Sequence, residues 1–138
     1  MKIFLDANIL VSVLNKEYPV FSYSSRVLSL TENARFKVYT SPLCLAIAYY
    51  FAEKKNGNHV ARQKINLLAG KLHITVMDAR LVAETIKNRQ IHDFEDGLQY
   101  HSAMESGCKC IVSEDTDDYY FSEIETMKSR QFLEKYVF

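Results

Sequence analysis

Short apolar stretches rich in β-branched and aromatic residues alternate with longer helix-patterned segments through the whole chain. That alternation confines it to strands separated by helices, and hence to a parallel sheet covered on both faces. Lys2 to Leu5 reads as the first strand, and Asp6-Ala-Asn8 turns it into a helix from Ile9 to about Leu14, with Asn8 or Asp6 as N-cap. Beyond a loop containing Pro19, Phe21 to Ala34 suits a helix with Val27, Leu28 and Leu30 inward, followed by a strand from Phe36 to Thr40. Ser41 caps and Pro42 opens a third helix that ends near Asn56-Gly57. Val60 to Leu68 reads as a helix stopped by Gly70, Leu72 to Val76 as a strand, and a helix follows from near Asp78 to about Arg89. Asp93 begins the next helix and Gly107 ends it, and Lys109 to Val112 is a fourth strand leading into Ser113-Glu114-Asp115-Thr116-Asp117-Asp118. A short strand around Ile124 and a helix from Ser129 to Tyr136 complete a single domain over residues 1–138. The expected architecture is a three-layer α/β/α sandwich around a central, mostly parallel sheet of four to five strands.

At 138 residues, 48% hydrophobic and 25% charged, the chain has material for one core and no room for a second domain. Its longest apolar run, Leu43 to Phe51, falls far short of the roughly 20 residues a membrane span needs, and no signal-peptide layout precedes the first strand. A soluble, cytoplasmic protein without membrane association is expected. The Leu43–Phe51 run reads instead as a helix buried in the core or as a dimer contact, which leaves a homodimer open. Cys44, Cys108 and Cys110 lack ligand-like spacing and read as buried or half-buried thiols rather than as a disulfide framework or a zinc site.

Net charge is zero, 17 Lys+Arg against 17 Asp+Glu, which argues against gripping nucleic acid by bulk electrostatics. The acids are unevenly spread: from Asp93 to Glu125 there are ten acids and one base, Lys109, whereas the preceding 92 residues carry thirteen bases and six acids. Apolar residues interleave with the acidic stretch, so it belongs to packed elements rather than to an acidic tail. In an open parallel sheet, chemistry sits in the crevice beyond the carboxyl ends of the strands. Asp6 follows the first strand and Asp115 the fourth, so both stand at that edge and can converge. Asp93 and Asp96 lie three apart at a helix start and share a face that Tyr100 continues.

Each acid also has an ordinary structural use. Asp93-Phe-Glu-Asp96 is a good helix start, Asp6 can cap a helix, and Asp115 and Asp118 suit turns. Brought within ~4 Å, two carboxylates repel by about 4 kcal/mol at an effective dielectric of 20, so a shared cluster requires a cation or raised pKa values. Hard oxygen ligands suit magnesium, and magnesium suits phosphodiester hydrolysis. Competing inventories are thin: no nucleophile elbow, no glycine-rich phosphate loop among four glycines, and no HExxH pattern among His59, His73, His92 and His101. An aspartyl nucleophile at Asp6 lacks the second aspartate two positions on, where Asn8 stands. A lone histidine such as His92 or His101 reads as structural or surface, and His92, beside the acidic helix, is the candidate exception.

The segment Ile3-Phe-Leu-Asp-Ala-Asn-Ile-Leu-Val11 resembles the opening strand and helix of PIN domains. Asp93-Phe-Glu-Asp-Gly-Leu-Gln-Tyr100 and Ile111-Val-Ser-Glu-Asp-Thr-Asp-Asp-Tyr119 resemble the second and third acidic segments of that family, and the likeness runs to Phe132-Leu133-Glu134. It implies a helix-covered parallel sheet, a magnesium- or manganese-dependent endoribonuclease acting on RNA and, in bacterial members of this size, a toxin paired with a small antitoxin protein, as in the VapC-like branch. By this resemblance Asp6, Asp96 and Asp115 are the metal-binding aspartates, Asp93 is an assisting acid, Asn8 is the polar residue that supports Asp6, and Asp118 resembles the aspartate that ends the loop. One position departs. Where many ribonuclease members carry a glutamate early in the third helix, this chain has Ile47. Glu53 is not expected to replace it, because six residues place it about 240° round the helix and ~9 Å along. The sequence therefore admits two functions, a metal-dependent RNA-cutting enzyme or a PIN-fold module that binds nucleic acid or a partner without catalysis. Candidate bases for a substrate surface are Lys54, Lys55, Arg62 and Lys64, or Arg80, Lys87 and Arg89.

Overall fold

The structure is a computed structural model describing residues 1–138. Strand β1 (Lys2–Leu5) lies at the centre of the sheet because it is apolar on both faces; Ile3, Phe4 and Leu5 are all fully buried. It pairs in parallel with β2 (Lys37–Thr40) on one side, Ile3 opposite Val38, and with β4 (Cys110–Val112) on the other, Phe4 opposite Ile111. The short strands β3 (His73–Ile74) and β5 (Glu125–Met127) form the edges, giving the order β3-β2-β1-β4-β5 with every neighbour parallel. The sheet is thus five-stranded and parallel throughout. The chain builds outward from β1 to β2 and β3, then returns to the other side of β1, so the order reverses between β1 and β4. Ligands of open α/β sheets bind at such a switch point.

Seven helices cover the sheet: α1 (Ala7–Leu14), α2 (Phe21–Ser29), α3 (Pro42–Asn56), α4 (Asn58–Lys71), α5 (Ala79–Lys87), α6 (Phe94–Glu105) and α7 (Ser129–Tyr136). They fall into two packing groups. α1 touches α2 and α3, α3 touches α4, and α2 touches α7, while α5 and α6 pack on each other. α3 packs through Cys44, Ala48 and Ala52 and leaves Tyr50 and Phe51 exposed, so the run from Leu43 to Phe51 is only half buried. All three cysteines are buried and free, as their spacing suggested. No helix is long and apolar enough to cross a membrane.

Several element ends differ from the sequence expectation for local reasons. The second helix stops at Ser29 and tightens into a 3-10 turn over Leu30–Glu32 instead of reaching Ala34. Gly70 does not end α4, which runs on to Lys71. Nothing lies near its missing side chain, and the helix ends where Leu72 turns extended. The strand expected from Leu72 to Val76 shrinks to two residues because it is an edge whose Ile74 and Val76 find no cover. Asp6, rather than Asn8, caps α1.

Two glycines fix how α6 is held. Gly107, at φ 80°, lies in the left-handed region that ends a helix. Its N–H donates to Met104 O and that of Cys108 to Ala103 O, so the last carbonyls are satisfied and the chain drops directly into β4. At the other end Gly97 lets α6 approach α5. A Cβ there would stand 2.7 Å from both Ile91 Cγ2 and Thr85 Cγ2. Gly97→Val is therefore expected to lower stability by about 1–3 kcal/mol through overpacking, read as a lower urea midpoint.

Candidate active site

The last rung of the β1–β4 pairing is the Asp6 N–H donating to Val112 O at 3.0 Å, and it brings the ends of both strands together. The Asp6 side chain then caps α1, its Oδ1 accepting from the Ala7 N–H at 2.8 Å, so the carboxylate sits at the positive end of that helix. Its Oδ2 accepts from the Ser113 hydroxyl at 2.8 Å. That hydroxyl also accepts from Asn8 Nδ2 at 3.0 Å and from the Asp115 N–H at 3.1 Å, so one serine ties the end of β1 to the loop after β4. Asn8 completes the frame, donating to Asp115 Oδ2 at 3.3 Å and accepting from the Glu114 N–H at 3.0 Å. Glu114 in turn accepts from the Ser129 N–H at 3.1 Å, which anchors the loop to α7.

These groups open into a cavity of about 370 Å³ lined by Asp6, Ala7, Asn8, Val11, Glu17, Ile47, Phe51, Glu95, Asp96, Asp115 and Asp118. Six acids and no base line it. Asp6, Asp96 and Asp115, the three proposed metal aspartates, therefore share one pocket with Asn8 and Asp118. Asp93 stands outside that lining; its carboxylate caps α6, accepting from the Asp96 N–H at 3.0 Å. Its charge still reaches Asp96, Glu95 and Asp118.

Burial and uncompensated charge both act on the carboxyl groups. Burial pushes the Asp6 carboxyl up, with the charge of Asp115 adding to it, while hydrogen bonding by Ser113 and Ala7 pulls it back. Asp96 is pushed up to about 7 by burial first and then by the charges of Asp93, Asp118, Asp6 and Glu95. Burial also raises Glu95, with Asp93 and Asp6 adding, and Asp118, with Asp115 and Asp93 adding. Beneath Asp6 lies the buried Tyr119 hydroxyl. It is close enough to Asp6 to affect its carboxyl, yet finds no hydrogen-bond partner of good geometry.

The magnesium or manganese ion implied by the family resemblance can be tested against this donor set. Carboxylates and one carboxamide, with no cation among them and a buried hydroxyl left unpaired behind them, fit a hard divalent ion in chemistry. As the side chains stand, no three are grouped tightly enough to hold a metal. A shared ion would require them to close in.

Glu17 and Glu95 were missed by sequence reasoning. Glu17 follows α1 beyond Lys16, whose φ of 50° turns the chain, and no periodicity marks it. Glu95 adjoins Asp96, and consecutive helical residues do not normally share a face, but in a first turn that borders the crevice both reach it. Phe51 was read only as part of a buried or dimer-contact run, although its place four residues after Ile47 on one helix face could have pointed to it. Glu53 faces away and accepts from Asn58 Nδ2 at 2.8 Å. Several candidate substrate bases are engaged elsewhere: Lys55 donates to Asn15 O, Lys64 to Leu14 O, Arg62 to Asn58, and Arg80 pairs with Glu84 and Glu105. His92 stacks on Tyr120 at 5.7 Å between ring centroids, outside the pocket lining.

A five-stranded parallel sheet with an acidic pocket at its switch point, built from carboxylates after β1, at the start of α6 and after β4, is the arrangement of a PIN domain. The sequence profile of the PIN domain matches residues 2–117, and the chain belongs to that family. It is 28% identical over 142 residues to Ribonuclease VapC1 of Aquifex aeolicus, covering 98% of this chain and 95% of the relative. Among solved structures it resembles Mycobacterium tuberculosis VapC20, described as a Sarcin-Ricin loop cleaving toxin, with a TM-score of 0.70, 15% identity and coverage of 89% of this chain and 97% of that one. It also resembles a chain of VapBC2 from Rickettsia felis bound to a DNA fragment from its promoter, with a TM-score of 0.69, 19% identity and coverage of 93% and 98%.

The raised Asp96 carboxyl carries a pH signature. Folded, it holds its proton to about 7, whereas its ordinary value is 3.8, so between those limits the folded state binds more protons and loses stability as pH rises. In chelator, thermal unfolding is expected to shift downward between about pH 4 and about pH 7 and to level off above that. Asp96→Asn should flatten that slope and gain about 1 kcal/mol at the upper end, after the screening that a half-exposed site experiences.

Proposed function

We propose that the chain cleaves RNA phosphodiester bonds in a reaction that depends on magnesium or manganese, as the endoribonuclease toxin of a toxin–antitoxin pair. The observation that carries this reading is the gathering of Asp6, Asp96 and Asp115 in one pocket without a single base, at the switch point of a PIN-domain sheet. The VapC relatives support it, one named a ribonuclease and one a toxin that cleaves the Sarcin-Ricin loop. Similarity to chains from VapBC complexes supports an antitoxin partner.

Asp6, Asp96 and Asp115 would hold the ion. When bound, it supplies charge neutralisation at a phosphodiester and makes water more acidic. The chain's own groups do the rest. Ser113 and the Ala7 N–H orient the Asp6 carboxylate, and Asn8 fixes Asp115 while holding the loop through the Glu114 N–H. Glu95 adds a carboxylate facing Asp6 from the first turn of α6, on the side where Asp93 was expected to assist. Asp96, titrating near neutrality before an ion arrives, can carry a proton at its carboxyl.

A second reading, a PIN-fold module that binds without cutting, is favoured by one observation: Ile47 lines the pocket where many ribonuclease members carry an acid. Purified protein is expected to cleave single-stranded RNA with magnesium or manganese. Asp6→Asn should lower the rate about a hundredfold or more and Ser113→Ala about tenfold, since groups that orient a metal ligand are worth roughly 10–100-fold. Calorimetric titration with manganese separates the two readings: micromolar binding is expected of the enzyme, and absent binding together with full cleavage by Asp6→Asn would remove the mechanism.

A further inference from the structure

The pocket lining combines two chemistries: six carboxylates, and an apolar wall to which Ile47 and Phe51 of α3 contribute, with Val11 from α1. Ile47 and Phe51 are four apart on α3, so their side chains stand one above the other on a single helix face. Phe51 remains 43% exposed although it lines a cavity, and neither metal binding nor attack on a phosphodiester explains an apolar ring left there. The ring is braced: Tyr50 meets it edge-on at 5.2 Å between centroids, and the Asn15 carboxamide donates to the Phe51 carbonyl at 3.4 Å, tying α3 to the end of α1. Lys54 Nζ lies 5.6 Å over the Tyr50 ring and sets a cation beside the aromatic pair.

We infer that Phe51, with Ile47 beside it, receives an unpaired nucleobase next to the scissile phosphate and thereby selects single-stranded RNA. The inference rests on the ribonuclease reading above. A nucleotide joins an anionic phosphodiester to a flat apolar base through a sugar, and this one cavity offers carboxylates that would hold a metal for the first and a phenyl face for the second. An aromatic face accepts any base, because every base has a π-face, but only one that has left its own stack. Duplex RNA keeps its bases stacked and cannot use the wall.

The chain contains no tryptophan, so Phe51→Trp puts a lone fluorophore in the pocket. In magnesium buffer this variant is titrated with a mixed-sequence single-stranded oligoribonucleotide, with the same strand annealed to its complement, and with a base-free ribose-phosphate polymer. The single strand is expected to quench emission saturably, the duplex at least about tenfold more weakly, and the base-free polymer not at all. Phe51→Ala should raise KM for single-strand cleavage about tenfold, with Phe51→Trp restoring it. Equal quenching by the base-free polymer, no quenching by the single strand, or an unchanged KM in Phe51→Ala would overturn the inference. So would a wild-type dimer that sedimentation shows Phe51→Ala to dissociate, since the ring would then belong to self-association. Cleavage without quenching sinks the base site and leaves the ribonuclease; quenching without cleavage sinks the ribonuclease and leaves a base-binding pocket.

Discussion

The pairing of β1 with β4 is the constraint on which the rest of the molecule depends. Ile3 to Leu5 of β1 and all of β4 are apolar on both faces and fully buried, so neither strand can sit at an edge, and their adjacency creates the reversal in strand order that opens the crevice. The same pairing brings the residues after each strand together. Asp6 and Ser113 are neighbours because the rung before them, from the Asp6 N–H to Val112 O, is in register. Once that rung forms, the helix that starts at Asp6 and the loop that starts at Ser113 have little freedom left.

Holding like charges in one cavity opposes folding, and the local hydrogen bonds offset that tendency. The Ser113 hydroxyl, the Ala7 N–H and the Asn8 carboxamide each address a carboxylate or the loop that carries one. Burial first, and then the like charges that these bonds leave unneutralised, raise the carboxyl groups of Asp6, Glu95, Asp96 and Asp118. A site of this kind is strained electrostatically rather than sterically. A bound cation would relieve that strain through the same oxygens that create it.

Most of the fold was legible because its signals are local. Strand β1, the Ser41-Pro42 helix start, the Asp78 and Asp93 caps and the terminal helix Ser129–Tyr136 follow from capping chemistry and short apolar runs, and they fall where the sequence puts them. Edge features were less legible: the shortness of β3 depends on what fails to cover Ile74 and Val76, and no residue in the strand announces it. At the site, strand-end aspartates could be placed from topology alone. Asp93 could not be separated from Glu95, because one acid turning back to cap a helix and the next reaching forward into a crevice is a matter of rotamer and neighbouring elements. Ser113 went unnoticed for a related reason, since a single hydroxyl gains importance only from the three groups that meet it.

The Asp6–Ser113 bond joins residues 107 positions apart. Its loop is anchored further on, through Glu114, to the start of the final helix. During synthesis Asp6 is made long before the serine and the loop that orient it. With β1 paired only to β2, Asp6 and Glu17 are in place but the acids of α6 and the loop after β4 are not, so the pocket closes only once Ser113 and Asp115 have joined them.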